Sequence, residues 1–500
     1  MNADLTSSNA VETSDGLVLP RERGLFYGGQ WHRHGTGGDA DVRSPATGGH
    51  LCTIAHAGVD DAHAAIEAAR AGFAIWRHVP PMERAKILRE AAAVVRRHGR
   101  ELAMLDAADC GNPFTELLGD VAIAAGTMEF FAGLVTEMKG ASIPMGPDAV
   151  NFSVREPRGV VARIIPFNHP FMFCAGRAAA PLAAGNSIII KPPEQAPLSA
   201  LRLAELIGGL FPPGVFNILP GGRDVGAALT SHPHVAMAAL IGSVPTGRAV
   251  MRAAADTIKP VLLELGGKNA LIACADADPD VVASAVVAGM NFAWCGQSCG
   301  STSRAFLHED IHDAVIAKLA EKVGAFRPGL PTNPATTMGA IASRQQYDRI
   351  LDYIEIGKAQ GARLVSGGST PGDAELAGGW FIEPTIFADV TQDMRIASEE
   401  IFGPVLSLLR WSDEASMLEQ VNRLDLGLTC SIWTNNLTRA HRLAMQVEAG
   451  FVWINETSKH FLGAPFGGYK QSGLGREECL DELLAFTQQK NIHVNLQQRV

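Results

Sequence analysis

Five short segments hold side chains fit to act as a nucleophile, a base, a charge stabiliser or a ligand clamp. Cys299 lies in Gly296-Gln-Ser-Cys-Gly300. A thiol becomes a strong nucleophile as the thiolate, and polar backbone dipoles help to lower its pKa. The flanking glycines suit close backbone approach to a ligand. The competing reading is a small buried hydrophobe, the commoner fate of a lone cysteine. Glu264 sits at a strand end in Leu263-Glu-Leu-Gly-Gly-Lys268, where a carboxylate is costly without a task or a partner. Partial burial raises such a group toward the range of a general base; the alternative is an ion pair with Lys268. Asn168, in Ile165-Pro-Phe-Asn-His-Pro170, follows a strand in a loop stiffened by prolines. An amide held there stabilises a developing oxyanion, or does no more than shape a turn.

Lys191 and Glu194 follow another strand, in Ile190-Lys-Pro-Pro-Glu194. A glutamate there accepts from ribose hydroxyls and a lysine reaches sugar or phosphate oxygens; a solvated loop is the alternative. Gly242-Ser243, with Gly247, opens a helix whose N-terminus suits a pyrophosphate. Glu399-Glu-Ile-Phe-Gly-Pro404 and the run Pro465 to Glu477 read as turns and by composition reveal no chemistry.

Positioning these groups takes a large scaffold. The chain has 500 residues, enough for two or three domains with sizeable cores. Nearly half the residues are hydrophobic, as in a compact α/β enzyme. The net charge of −10, with no basic run, gives no reason to expect nucleic acid or anionic lipid as a partner. Eight scattered cysteines without a secretory leader read as free thiols in a reducing, cytoplasmic setting, and none has metal-site spacing. Val281 to Ser303 carries no charged residue over a membrane-crossing length, but its polar and glycine content favours a buried helix running into a loop.

From about Asp60 the apolar spacing predicts a helix through Phe73, a break at Pro80-Pro81, then helices over 84–100 and 101–109. Strands are expected at 159–165, 186–190, 215–219, 238–241 and 261–264, with helices at 178–184, 200–210 and 246–255 between them. Such alternation implies a parallel sheet covered on both faces, with ligands at the carboxyl ends of its strands. The second half continues with helices at 283–292, 311–323, 345–360 and 440–447, and strands at 363–365, 405–409 and 450–454. Residues 491–496 alternate as an exposed strand seeking a partner.

Taken together, Pro-Phe-Asn-His-Pro, Lys-Pro-Pro-Glu, Leu-Glu-Leu-Gly-Gly-Lys, Gly-Gln-Ser-Cys, Glu-Ile-Phe-Gly-Pro and Pro-Phe-Gly-Gly-Tyr-Lys-x-Ser-Gly resemble the aldehyde dehydrogenase superfamily, in its order and at its spacing, from Phe26 to Val494. The resemblance implies an α/β fold in three parts. A Rossmann-like NAD-binding domain would span 21–138 and 159–267, and an α/β catalytic domain 268–480. A small β extension that drives oligomerisation would use 139–158 and 481–500, and residues 1–20 would form a mobile tail. It also implies a homodimer or homotetramer.

By the same resemblance, Cys299 attacks an aldehyde, the Asn168 amide and the Cys299 N–H hold the oxyanion, hydride passes to NAD, and Glu264 activates the water that hydrolyses the thioester. Lys191 and Glu194 would hold the adenosine ribose, Ser243 a phosphate and Glu400 the nicotinamide ribose. Phe402 would pack on the nicotinamide side and Gln346 touch the cofactor. Ile164, Pro166, Phe167, Gly222, Gly242 and Leu265 complete the expected cofactor surface. A carboxylate at Glu194 should favour NAD over NADP. A CoA-acylating relative, or a catalytically silent one, is the competing class.

The chain departs from the common pattern at Leu240-Ile241 and Val244, where hydroxyls are frequent, and at Arg177, where a lysine usually faces Glu477. Arg releases a proton poorly, which weakens a relay there. Cys295, four residues before Cys299, is either helix packing or a partner for a regulatory disulfide. The aldehyde tunnel is expected among His169, Phe173, Gly176, Ala293, Trp294, Ser298, Gly300, His460 and Phe466. Small residues at 176 and 293 and the aromatic faces favour a neutral, aromatic or bulky aldehyde over a trimethylammonium one. Lys459 would meet a substrate carboxylate or face solvent.

Overall fold

The computed structural model describes residues 11–12 and 16–497. Much of the segment expected as a tail lies outside the described residues; at its inner end Val18–Leu19 pairs antiparallel with Val11–Glu12.

Two open sheets carry the molecule. The first has eight strands in the order 473–474, 261–265, 235–242, 160–164, 187–191, 216–218, 25–27, 30–32. Its five central strands are parallel. They are near-continuous runs of Val, Ile, Leu and Ala because both faces are covered. The chain leaves the strand Val160–Ile164 toward one side and later returns on the other as Val235–Gly242. That reversal opens a crevice beyond the carboxyl ends of these two strands, where parallel α/β sheets take ligands. Here lie the loop to Asn168 and the turn Gly242-Ser243.

The second sheet has seven strands in the order 363–366, 385–388, 405–411, 304–308, 270–273, 429–433, 451–454, all parallel but for the pair at its 363–366 edge. Four of these strands, 270–273, 304–308, 385–388 and 429–433, are absent from the expectation above. A third sheet joins Thr487–Asn495 to Ala149–Pro157 and Ser142–Ile143. The exposed C-terminal strand thus finds its partner more than three hundred residues earlier in the chain.

Helices confirm the periodicity with shifted ends. Pro81 does not end a helix but begins Pro81–Arg97, at a position where a missing N–H costs nothing. The uncharged stretch resolves into the helix Pro279–Gly289, capped by Asp278, a 3-10 turn at Phe292–Trp294 and a loop. Among the described residues no helix is long and apolar enough to cross a membrane. The twenty-residue helix Phe114–Gly133 has no counterpart in the sequence reading.

The largest core joins the N-terminal helices to one face of the first sheet. At its centre Trp76 is fully buried and donates its indole N–H to the Leu182 carbonyl at 2.9 Å. Trp76→Ala should cost about 3–5 kcal/mol, the range for deleting a buried aromatic, read as a lower midpoint in denaturant unfolding.

Candidate active site

A cavity of about 570 Å³ opens between the two sheets. Cys299 and Glu264 lie in its wall, one reached from the second sheet and the other from the first. Glu264 is the fourth residue of the buried strand Val261–Leu265 and is 4% exposed. Cys299 stands on the loop that leads into the strand Arg304–His308. The two side chains face the same space, and each raises or lowers the other's hold on its proton. Burial, reinforced by the negative Glu477, pushes the Glu264 carboxyl up to about 8. Burial and the facing Glu264 push the Cys299 thiol well above its usual range. The resting pair is therefore a neutral thiol beside a carboxyl group poised to take its proton. No salt bridge joins Glu264 to Lys268. Glu264 Oε1 and Lys268 Nζ have no hydrogen-bond partner, and burial lowers the Lys268 amine to about 7.

The nucleophile loop is pinned by residues the sequence reading passed over. Asn269 donates from Nδ2 to the Cys299 carbonyl at 2.6 Å and the Ser301 carbonyl at 3.1 Å, while its Oδ1 accepts the Thr429 N–H at 3.0 Å. The other side is fixed by Gln297, whose Oε1 accepts from Ala342 N at 3.1 Å. Asn269 follows directly on the Leu-Glu-Leu-Gly-Gly-Lys segment; a buried amide there is a recoverable signal. Cys295 is fully buried with positive φ in a core cluster on the second sheet, together with Met338 and Ile341. Packing accounts for it, and all eight cysteines are free thiols.

Asn168 is 4% exposed, and its backbone carbonyl accepts from Asn112 Nδ2 at 2.7 Å. It stands beside the cavity wall rather than in the lining, which begins at His169. The helix Pro170–Gly176 that follows is anchored from below: Asp106 accepts the Phe171 N–H at 3.0 Å.

His169, Phe173, Gly176, Trp294, Ser298, Gly300, His460 and Phe466 all line the cavity, as expected; Ala293 does not. His169 bonds Asp120 at 2.8 Å and packs on Trp294 at 4.4 Å between ring centres. Opposite, His460 packs on Phe466 at 4.4 Å and bonds Glu478 at 3.1 Å. Lys459 is exposed and pairs with Glu456 at 2.7 Å, away from the lining. The unforeseen helix Phe114–Gly133 supplies another wall through Asp120, Ile123, Gly126 and Thr127. A Cβ at Gly176 would meet Ala124 and Thr127 at 3.6 Å, an ordinary contact, so the helices would accept an alanine there and the glycine's effect is the space it leaves in the cavity.

Behind Glu264 lies a buried charge cluster. Arg177 reaches Glu477 at 3.2 Å, Glu478 at 2.8 Å and Glu482 at 3.7 Å, and Arg163 pairs with Glu477. Burial opposes the Arg177 charge, and three carboxylates more than offset it. Glu478 is held down at about 2, Arg177 and His460 overriding its burial. Glu482, fully buried, is pushed up to about 7.

The crevice of the first sheet holds the other candidate residues. Lys191 ends the strand Ser187–Lys191, while Glu194 is exposed beyond it. A Cβ on Gly222 would lie 3.6 Å from Glu194 Oε1, and one on Gly226 3.7 Å from both Ile164 Cδ1 and Lys191 Cδ. These glycines floor a gap rimmed by Ile164, Lys191 and Glu194. Ser243 caps the helix Val244–Ala255, its Oγ 2.9 Å from Thr246 Oγ1, so Thr246 returns a hydroxyl to a rim that Val244 leaves without one. Leu265 packs under Gly247 in this helix. Toward Cys299, Phe167 and Phe402 meet edge to face at 5.8 Å beyond Pro166. Glu400 is nearly buried and accepts the Gly267 N–H at 2.9 Å; a side chain at Gly266 would collide with it. Gln346 lies behind this wall: its Nε2 donates to the Ile401 and Phe402 carbonyls at 2.8 Å each, fixing the positive-φ turn at Phe402.

The model of the Aldehyde dehydrogenase family matches residues 31–492, and the chain belongs to that family. It is 51% identical over 487 residues to aldehyde dehydrogenase tropH of Talaromyces stipitatus, covering 96% of this chain and 94% of that one. It is 41% identical over 463 residues to a betaine aldehyde dehydrogenase of Cereibacter sphaeroides, covering 92% and 95%. Among solved structures it is similar to an indole-3-acetaldehyde dehydrogenase of P. syringae in complex with NAD+ and IAA, with 34% identity, a TM-score of 0.93, and coverage of 96% and 98%.

Proposed function

We propose that this chain oxidises a bulky or aromatic aldehyde to the carboxylic acid with NAD, through a thioester on Cys299. The single observation that carries this is the placement of Cys299 and Glu264 together in the wall of one cavity, next to the crevice of the first sheet. Glu264 takes the thiol proton as sulfur adds to the aldehyde carbon. The new oxyanion is held by the Cys299 N–H and the Asn168 amide. When bound, NAD supplies the hydride acceptor. Loss of hydride from the carbon leaves an acyl group on sulfur. Once Glu264 has released that proton to solvent, its carboxylate removes a proton from water, and the hydroxyl so formed displaces the thiolate and yields the acid.

The residues present suit such a dinucleotide. Glu194 and Lys191 would meet the adenosine ribose over the Gly222 floor, and Ser243 with the helix N-terminus a phosphate. Glu400 would hold the nicotinamide ribose against Phe167 and Phe402. An exposed carboxylate at Glu194 repels a 2′-phosphate, which favours NAD over NADP. Gln346 acts through the turn it braces. Asn168→Ala should lower kcat/KM by roughly 10²–10³-fold, the usual loss of one oxyanion donor.

A neutral substrate follows from the cavity's charges: Asp120 is engaged by His169, and Glu478 by Arg177 and His460. What remains is aromatic surface from Phe173, Trp294 and Phe466. NADH formation across an aldehyde panel, with and without CoA, tests the reading. Aromatic aldehydes should lead without CoA. A peak at trimethylammonium or short aliphatic aldehydes would overturn the substrate class, and dependence on CoA would overturn hydrolysis.

A cytoplasmic homodimer or homotetramer completes the proposal. Free thiols support a reducing setting. The three-stranded sheet exposes Val150 and Val494, cross-strand partners on one face, as apolar surface suited to a second copy of the chain.

A further inference from the structure

The sequence reading expects no metal, and the site above requires none. The fold nevertheless gathers a set of ligating side chains elsewhere. His63 and Glu67 stand one turn apart on the helix Val59–Trp76, so they share a face. His232 caps the helix Arg223–Ser231, and Pro233 carries the chain stiffly to His234 before the strand Val235–Gly242 begins. These two elements pack together. The Glu67, His232 and His234 ligand atoms lie within 4.8 Å of one another. Glu67 Oε1 is 2.6 Å from His234 Nδ1. The His232 ring lies 5.2 Å from that of His234 and 5.1 Å from that of His63. Among the described residues this is the one such group of three or more.

We propose that His232, His234 and Glu67, with His63 as the fourth ligand, bind a divalent transition ion of the zinc type. Two or three imidazoles and one carboxylate suit zinc, which takes nitrogen and oxygen ligands tetrahedrally. Ligand atoms in such a tetrahedron stand roughly 3.4 Å apart, so Glu67, His232 and His234, within 4.8 Å of one another, need only small side-chain movements to close, and the exposed His63 would turn its ring inward. His63 and Glu67 reach the ion from one helix, His232 and His234 from a proline-stiffened turn. Two cations also face the cluster. Arg70, half-exposed, pairs with Glu67 at 2.8 Å and touches His234 at 3.1 Å, and the bound ion takes its place. Lys259 is turned away, its ammonium held on the His232 carbonyl at 2.6 Å.

The cluster sits at the amino end of the strand Val235–Gly242, and the cofactor crevice lies at the other end, roughly 25 Å off at the rise of a strand. The ion would therefore act as a clip between the first helix and the sheet, and not as a reactant.

Titration of the full chain with Zn2+ alone, and separately with Co2+ alone, tests this in a Cys299→Ser background, which removes the competing catalytic thiol. The expected result is about one ion per chain with micromolar affinity, tetrahedral cobalt absorption, and a thermal midpoint raised by several degrees and restored by chelator. His232→Ala with His234→Ala should weaken binding at least a hundredfold, and Glu67→Gln at least tenfold. The same substitutions in the unaltered chain without metal should leave NADH formation unchanged, showing that the fold survives. Unchanged binding in the double variant, or octahedral cobalt spectra with no shift in midpoint, would overturn the proposal.

Discussion

Cys299→Ala is expected to abolish NADH formation, lowering kcat by roughly four to six orders of magnitude, as removal of a covalent nucleophile does. The fold should be untouched. The loop is held through the Cys299 and Ser301 carbonyls by Asn269, and those bonds do not involve the thiol. Circular dichroism and NAD binding by the variant should match the parent. Turnover within tenfold of the parent would remove Cys299 from the chemistry and leave the cavity without a nucleophile, since Cys295 is enclosed in the neighbouring core.

The second large effect separates the two half-reactions. Glu264→Gln removes the base but keeps a side chain of the same size, and should lower steady-state turnover by about 10²–10⁴-fold. Mixing this variant with aldehyde and NAD should still release close to one NADH per chain, slowly, and then stop with the acyl group on sulfur, visible as added mass. In the unaltered enzyme the ionised form of Glu264 grows as pH rises, because its folded pKa of about 8 lies above the ordinary 4.5. Hydrolysis should thus climb through pH 8 and level above it, while the variant's residual rate stays flat there. Stability runs the opposite way. The folded state holds the Glu264 proton between its unfolded and folded pKa, so this group's contribution falls as pH rises across that window and is constant above it. The variant should lose that slope in unfolding experiments at neutral to mildly alkaline pH.

The chemistry was more legible in the sequence than the scaffold. Short motifs named Cys299 and Glu264 because their neighbours are rich in glycine, whereas Glu400 came only from the family resemblance; the glycine at 266 leaves the room that Glu400 occupies. The five central strands of the first sheet stood out because glycine or proline bounds each apolar run, while the short strands 25–27, 30–32 and 473–474 did not. The second sheet hid its strands at 270–273, 304–308, 385–388 and 429–433. They are four or five residues long and buried on both faces, so no alternation marks them. The helix Phe114–Gly133 escaped for a related reason: core and cavity both bury it, and its apolar residues lie on more than one side. Losing it meant losing Asp120 and with it the partner that orients His169. Gln346 shows the converse limit, since a motif position does not reveal whether a side chain meets a ligand or the backbone behind it.

The antiparallel closing strand Gly473–Leu474, which seals the first sheet against Glu264, bears on how the enzyme is made. Translation proceeds from the amino end at roughly 5–20 residues per second. A growing chain thus displays its thiol and its base for many seconds before Glu477 and Glu478 have been synthesised. Through that interval the pocket lacks a wall and the carboxylates that tune its proton affinities. A partly made polypeptide is therefore a poor catalyst, and activity should switch on in a single late event when the last segment adds its strand beside Glu264. Chains stalled on ribosomes short of residue 473 would carry every motif of the nucleophile and none of its turnover.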